Sequence, residues 1–568
     1  MKKLKLNDIW GYGQLFGFSA LDGVNRFNSD FVGTLTAKKI GIRFELTEWV
    51  KVHFPVKGRV KFNAITGDMI DAKTQDGDVF ITFANCDTIV GYAPVVPEIT
   101  TQKKWNCVTR KGADIWFNPT DAIARTVRKE ENGLYKFAIA HSVGSYSLAR
   151  GMANELIDAD VESLKQARYD YFRKMPKCKN KKYEKLYYKA LSVNKVNVRT
   201  PEGSIPCLWT TPDRVPHRRL WLWDSVFHAL AIVNYNQELA KDCIRAVLTQ
   251  RRADGFIPAM MDPYSRCDET QPQVLSWGVW EVYQKTRDRA FLEECVDALE
   301  GYLTWDKNNR DKNGNKLLEW YTEPEYTECK SGESGQDNSP RFEFDEETDA
   351  MDFTAFQIHD AEYLAKIYQE LGNEDKAQTW LKDAEEMKKQ MNALLWDDED
   401  GVYYDRLMTS GKFTKVLTPA SFFPMFAGVP TKEQAERMVK VLTDPTRMWT
   451  ALPLPTVSKD HPMYGTDMWR GGVWMNMNYF VIRGLRKYGY TELAEELKQK
   501  SLDAVFKWYK KTGVIYEFFD SRDEVYPYQC ERKGKPTTPP DWRKQVHSIS
   551  DFHWSACFTL MFIQNDLY

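Results

Sequence analysis

Three segments of this 568-residue chain set carboxyl groups among aromatic rings. Leu220-Trp221-Leu222-Trp223-Asp224-Ser225 places two indoles just ahead of an aspartate. Glu333-Ser334-Gly335-Gln336-Asp337-Asn338-Ser339-Pro340-Arg341 carries Asp337 through a polar loop. Ile515-Tyr516-Glu517-Phe518-Phe519-Asp520 surrounds a glutamate with rings. An indole stacks on the apolar face of a sugar ring, while the hydroxyls at the ring's rim need polar partners. Two carboxyls beside such a ring can protonate a glycosidic oxygen and activate a water, which is the equipment of glycoside hydrolysis.

Each segment also has a plainer reading. Asp224 could be a helix N-cap that accepts backbone N–H groups. The Asp337 loop could be an acidic surface loop, with Glu346, Glu347 and Asp349 close behind it. Glu517 could face solvent on a short strand. Two further segments reinforce the sugar reading. Trp469-Arg470-Gly471-Gly472-Val473-Trp474 leads into a helix bearing Asn478 and Tyr479, and Phe552-His553-Trp554-Ser555 opens the last helix.

Other chemistries find no support. No G-x-S-x-G elbow, phosphate-binding loop, dinucleotide glycine fingerprint or H-E-x-x-H motif occurs. The stretch 309–320 echoes a calcium loop around Gly314, but its twelfth position is Trp320, so the match fails and a connecting turn is expected. The eight histidines form no spaced metal set, and no metal or cofactor is expected. Lys+Arg (78) and Asp+Glu (80) nearly cancel, so nothing steers the chain toward nucleic acid or an anionic membrane. The ten cysteines lack paired spacing and read as free thiols in a reducing compartment. The first residues, MKKLKLNDIWGYGQ, have no apolar run behind their basic start. A cytoplasmic enzyme acting on a small carbohydrate is the expectation.

The elements that must hold these segments fall into two textures. Residues 1–150 alternate in short runs, as in Ile42–Leu46, Asp78–Phe83 and Phe137–Val143, the pattern of an antiparallel β-sandwich. Residues 151–182 read as a helical linker. Within 183–568, apolar residues recur at three and four over ten or more segments, from Asp224–Tyr235 to Phe552–Ile563. Paired helices in that number, without a short repeat, fit a closed toroid whose loops at one end line a central pocket.

Taken together, the series LWLWDSVFH (220–228), QRRADGFIP (250–258), TQPQ (270–273), GESGQDNSPRF (332–342), DAMDF (349–353), WRGGVWMNMNY (469–479), YEFFD (516–520) and FHWSA (552–556) resembles the clan G glycosidases. That group includes family 63 processing α-glucosidases, trehalases and mannosylglycerate hydrolases, and the resemblance covers about residues 185–568. It implies a mainly α fold, an (α/α)6 catalytic toroid preceded by the β-sandwich. It also implies an inverting α-glucosidase in which Asp337 is the general acid and Glu517 the general base. Asp224 would bind the sugar, and Trp221, Trp223, Asn338, Arg341, Trp469, Arg470 and Trp474 would line the pocket together with Trp554. Asp352 would stand behind the wall. The family's usual Pro after W-R-G is Gly472 here, and the loop after Asp520 is long and charged; both bear on the leaving group. An α-mannoside, a polysaccharide lyase using Tyr479 or His553, and a non-catalytic sugar binder are the alternatives.

Overall fold

The computed structural model describes Leu4, Leu6 and residues 13–28, 31–36, 39–323, 325–326, 328–537 and 546–565. The N-terminal region is built from two antiparallel sheets. One runs Leu15–Phe16, Gly33–Leu35, Gly41–Phe44, Val50–His53, Glu98–Thr101 in spatial order. The other has eight strands: Asn106–Arg110, Ala113–Phe117, Asp121–Lys129, Tyr135–Val143, Thr88–Ala93, Asp78–Asn85, Met69–Lys73 and Lys61–Ile65.

The two sheets meet over one apolar layer, with Ile42, Phe44 and Val52 from the first and Ile81, Phe83 and Phe137 from the second. The larger sheet is covered on its other face as well. Helix α1 (Tyr146–Leu156) lies on strands Ala113–Phe117, Asp121–Lys129 and Tyr135–Val143, and α2 (Val161–Lys174) on Asp78–Asn85. Met69, Phe80, Val90 and Ala138 on that face join the core of the helical part. Double coverage explains why Val79-Phe80-Ile81-Thr82-Phe83 is buried throughout rather than on alternate residues.

The rest is helical, with α3 (Glu184–Val196), α4 (Leu222–Ile232), α5 (Gln237–Leu248), α6 (Leu275–Thr286), α7 (Arg289–Asn309), α8 (Met351–Glu370), α9 (Glu374–Leu394), α10 (Phe423–Ala427), α11 (Lys432–Leu442), α12 (Met475–Lys487), α13 (Thr491–Thr512) and α14 (His553–Gln564). The apolar spacing that predicts these helices, α10 apart, is reinforced at their ends. Asn236 caps α5, Asn373 caps α9, and Thr431 and Gln434 form a capping box on α11. Helix α4 packs beside α6, α6 beside α8, α8 beside α10, α10 beside α12, α12 beside α14, and α14 beside α4, so the succession of neighbours returns to its start. Helices α3, α5, α7, α9 and α13 lie against α14, α4, α6, α8 and α12. Every residue of α4 and α14 is buried, as expected for helices walled on all sides. Among the described residues no helix is long and apolar enough to cross a membrane.

The two regions share buried charges. The Lys189 ammonium on α3 sits between Gln14 Oε1 (2.8 Å) and Asp551 Oδ2 (2.8 Å). Leu15 donates its backbone N–H to the same Asp551 oxygen at 2.9 Å, while Asp551 Oδ1 accepts from Ile515 N at 3.2 Å. A second group joins Lys195 to Asp68 and Asp22, and Arg168 to the same two carboxylates.

Candidate active site

Asp224, Asp337 and Glu517 line one narrow cavity of about 70 Å³, together with Trp221, Trp223, Trp469, Trp474 and Trp554. His217, Gln271, Gly332, Met468, Arg532 and Phe552 complete much of its wall.

Asp224 lies in the first turn of α4, whose N-cap is Trp221, so it does not cap the helix. Gln271 Oε1 accepts the Trp223 N–H, and Leu222 N donates to Ala259 O, fixing the helix mouth from outside. The Asp224 carboxyl is 3% exposed. Burial, reinforced by the charges of Asp213 and Glu517, pushes it well above the usual carboxylate range.

Asp337 rides on a loop stitched by its own polar residues. Gly335 N donates to Gly332 O, Gln336 N to Ser334 Oγ, and Lys330 N to the Asp337 carbonyl. Gly335 adopts φ +66°, and a Cβ there would lie 2.4 Å from the Trp223 ring, so the loop needs glycine to reach the indole. Glu333, fully buried, accepts from Arg310, Thr270 N and Tyr321 N. Burial pushes Asp337 up, but the Lys533 ammonium in contact with Oδ2, aided by Arg532, outweighs it and holds the carboxyl below its usual value.

Glu517 lies in a bend just ahead of the two-residue strand Phe519–Asp520. Its N–H donates to Ile549 O and its carbonyl accepts from Ser555 Oγ on α14. Arg532 forks onto the carboxylate, Nε to Oε2 at 2.9 Å and Nη2 to Oε1 at 3.1 Å. His217 Nε2 accepts from Arg532 Nη2 at 3.1 Å, which puts the ring proton on Nδ1, facing Asp213 Oδ2 at 2.6 Å. Just beyond Glu517, Phe519–Asp520 pairs with Gly472–Val473, tying its segment to the tryptophan loop.

The rings form a connected fan. Trp469 stacks on Trp474 (4.1 Å between centroids, 6° between planes), Trp474 stacks on Phe518, and Trp554 meets both Trp474 and Trp223 edge-on at 5.5 Å. Asp224 Oδ1 and the indole nitrogens of Trp221, Trp469 and Trp554 are buried with no hydrogen-bond partner among the described residues. All four belong to residues lining this one cavity. Buried polar atoms are normally paired, so four such atoms at one cavity define a place for a ligand that both donates and accepts.

Three residues expected at the pocket point elsewhere. Arg341 is fully buried and forks onto Asp352 and Asp405, at 2.5–2.8 Å across four hydrogen bonds. Asp352 also accepts from Gln336 Nε2 at 3.0 Å and Trp320 Nε1 at 2.9 Å, so this cluster fixes the residue next to Asp337 from behind. Asn338 Oδ1 accepts from Trp469 N at 3.0 Å, and its carbonyl accepts from Arg470 Nε at 2.8 Å. Asn338 and Arg470 thus clamp the Asp337 loop to the tryptophan loop. Tyr479 and His553, the groups a lyase would use, are fully buried outside the cavity wall; His553 stacks on His228 at 3.6 Å. His217 carries no mark of a site in the sequence; Gln271 lies within the TQPQ segment and Arg532 and Lys533 within the charged loop after Asp520, but nothing in either segment announces that these side chains reach the carboxyls.

Carboxyls and indoles converging at one mouth of a helical body define the class: a glycoside hydrolase domain. More particularly, the chain belongs to the mannosylglycerate hydrolase MGH1-like glycoside hydrolase domain family, whose model matches residues 216–555. It is 32% identical over 161 residues to a mannosylglycerate hydrolase of Rubrobacter radiotolerans, covering 28% of this chain and 35% of the relative. The chain spans about half the length, or less, of curated relatives such as this one. In fold it is similar to a GH63 mannosylglycerate hydrolase of Thermus thermophilus in complex with Tris, with 21% identity, a TM-score of 0.53, and coverage of 66% of this chain and 99% of that one. A bacterial glucoamylase complexed with acarbose matches over 99% of this chain and 95% of its own, with a TM-score of 0.62 and 12% identity. At these identities the structural likeness is one of fold.

Proposed function

We propose that the protein is an inverting hydrolase of an α-linked glucoside, with Asp337 as general acid and Glu517 as general base. The observation that carries this reading is the set of unpaired polar atoms, Asp224 Oδ1 and three indole N–H groups, beside two carboxyls in one cavity. A sugar ring supplies hydroxyls for each of those atoms and an apolar face for the rings. Asp337 gives its proton to the glycosidic oxygen as the bond to the anomeric carbon breaks. Glu517, oriented by the Arg532 fork, takes a proton from the attacking water. Inversion requires the two carboxyls to stand about 6.5–9.5 Å apart, leaving room for that water.

Three structural readings belong to the same proposal. The circuit from α4 back to α4 is read as the inner ring of an (α/α)6 toroid. Residues 1–150, 151–182 and 183–568 are read as sandwich, helical linker and catalytic domain. A reducing, cytoplasmic setting is supported by ten cysteines that form no disulfide. The names of the relatives favour a second substrate reading, an α-mannoside with a glycerate leaving group.

The deciding experiment offers kojibiose, nigerose, trehalose, glucosylglycerate and mannosylglycerate, and measures the sugar released. Early NMR spectra should show the β-anomer from an α-substrate; an initial α-anomer would overturn inversion. Asp337→Asn and Glu517→Gln should each lower kcat at least about a hundredfold. Wild-type turnover in either variant removes that residue from the chemistry.

A further inference from the structure

Two consecutive cations from one loop touch the two carboxyls: Arg532 sits on Glu517 and Lys533 on Asp337. Their grips differ. Arg532 holds both oxygens of Glu517 through a planar fork, and both side chains are almost wholly buried, at 3% and 2% exposed. Lys533 meets a single oxygen of Asp337, and these side chains are 17% and 23% exposed. The Lys533 backbone is fixed separately, its N–H donating to Asp467 Oδ1 at 2.8 Å. An ammonium on a flexible stem, anchored at its root and held by one contact at its tip, can swing without unfolding the loop.

As an acid Asp337 must carry a proton, yet an ammonium in contact favours its carboxylate form. Of the two cations touching these carboxyls, Lys533 is the less firmly held.

We propose that Lys533 is a lock on the acid: it keeps Asp337 ionised in the empty site, then transfers to an anionic group on the leaving part of the substrate, so that Asp337 takes up its proton only when such a substrate is bound. This rests on the reading of Asp337 as the acid.

The charges around Asp337 set the direction of the exchange when Lys533 moves: Lys533 and Arg532 are the cations that act on it, the neutral His217 ring lies beside Arg532, and Glu269 and Cys329 are the acidic groups that feel its charge. Once Lys533 leaves, Arg532 remains committed to Glu517, and burial together with Glu269 favours the neutral carboxyl. The released ammonium needs a counter-ion, because a partly buried charge without one is costly. An anion on the leaving group supplies it. The protons balance: Lys533 keeps all of its own, Asp337 takes one from water, and that proton passes to the glycosidic oxygen as the bond breaks. Lys533 is a positioning residue here, acting through Asp337.

Two measurements test the lock. In calorimetry at pH 7 in buffers of different ionisation enthalpy, D-glycerate should bind wild-type protein with uptake of close to one proton. Glycerol should give no uptake, and Lys533→Met should bind glycerate with little or none. Glycerate binding without proton uptake, no glycerate binding at all, or unchanged uptake in Lys533→Met each overturns the proposal. In kinetics on neutral kojibiose, Lys533→Met should move the pKa of the required acid in kcat/KM up by at least one unit and raise kcat/KM severalfold at pH 7, while Lys533→Arg keeps the wild-type profile. An unmoved profile in Lys533→Met overturns the lock even where Asp337→Asn is inactive. An Asp337→Asn variant with full turnover overturns instead the assignment of the acid.

Discussion

Gln336 Nε2 donates to Asp352 Oδ2 at 3.0 Å, joining the residue beside Asp337 to a carboxylate already forked by Arg341. Burial pushes Asp352 up, and Arg341 outweighs it, leaving that carboxyl below its usual range. Asp405, which shares the same arginine, is pushed up by burial. One cation thus serves two carboxyls in a place water does not reach, and the loop carrying Asp337 hangs on the result.

Replacing Arg341 with Met should therefore act on both stability and rate. Two buried carboxyls lose their partner, which costs about 3–5 kcal/mol. Denaturant unfolding should show a loss of that order. Asp352→Asn, which keeps one oxygen for Gln336 Nε2, should unfold less readily than Arg341→Met. Equal stability of Arg341→Met and the wild type would mean that the cluster holds nothing.

Gly335→Ala should impair turnover while leaving most of the fold intact. Its φ of +66° and the 2.4 Å approach of a Cβ to Trp223 force both a left-handed alanine and a displaced indole. The backbone conformation alone costs about 1–2 kcal/mol. A drop in kcat/KM of tenfold or more is expected, with Trp223 fluorescence shifted. Unaltered kinetics would show that the indole has room to move.

Asp224→Ala should weaken substrate binding and orientation together. The carboxyl is buried with one oxygen unpaired among the described residues, so on the proposed reading the variant removes a sugar contact rather than a structural bond. KM should rise and kcat should fall, with kcat/KM down about a hundredfold, and the thermal midpoint should stay within a few degrees or rise. A large loss of stability would identify Asp224 as a structural residue instead.

Glu319 offers a pH test away from the site. Burial pushes its carboxyl up to about 7, against the Lys312 N–H it accepts and with the charge of Asp349 adding to the rise. A folded-state value above the unfolded one means that its stabilising contribution is complete below about pH 4.5 and is lost as pH rises through about 7. Glu319→Gln keeps an oxygen for Lys312 and cannot ionise. Its thermal midpoint should gain on wild type steadily from pH 5 to pH 8. A gap that does not change with pH would show that Glu319 titrates normally.

Much of the helical region is legible in the sequence because its helices carry long apolar stripes. The spacing over Glu374–Leu395 and Lys432–Leu442 reproduces α9 and α11 nearly residue for residue. Helix α10 is not legible: Phe423–Ala427 is five residues long and uniformly buried, too short to show a period. In the larger sheet, burial on both faces hides the alternation that marks a half-exposed strand. At the site, carboxyls beside tryptophans are visible as neighbours in sequence, and Asp224, Asp337 and Glu517 do share a cavity. Which way a side chain turns is not visible. Asn338, Arg341 and Arg470 stand within a few residues of the rings, yet they face other loops. Lys533 lies 196 positions from Asp337, and nothing in the local pattern around either residue announces the contact.

The bond from Leu15 to Asp551 has a practical consequence for anyone wishing to shorten the chain. Asp551 also steadies Ile515, two places ahead of Glu517, and shares its charge with Lys189. Cutting away the first sheet would open a dry ammonium–carboxylate pair to solvent behind the segment that carries Glu517. A minimal hydrolase cut from residue 183 onward would first need Lys189 and Asp551 rebuilt as a matched apolar pair, with a new donor found to hold Ile515 in line.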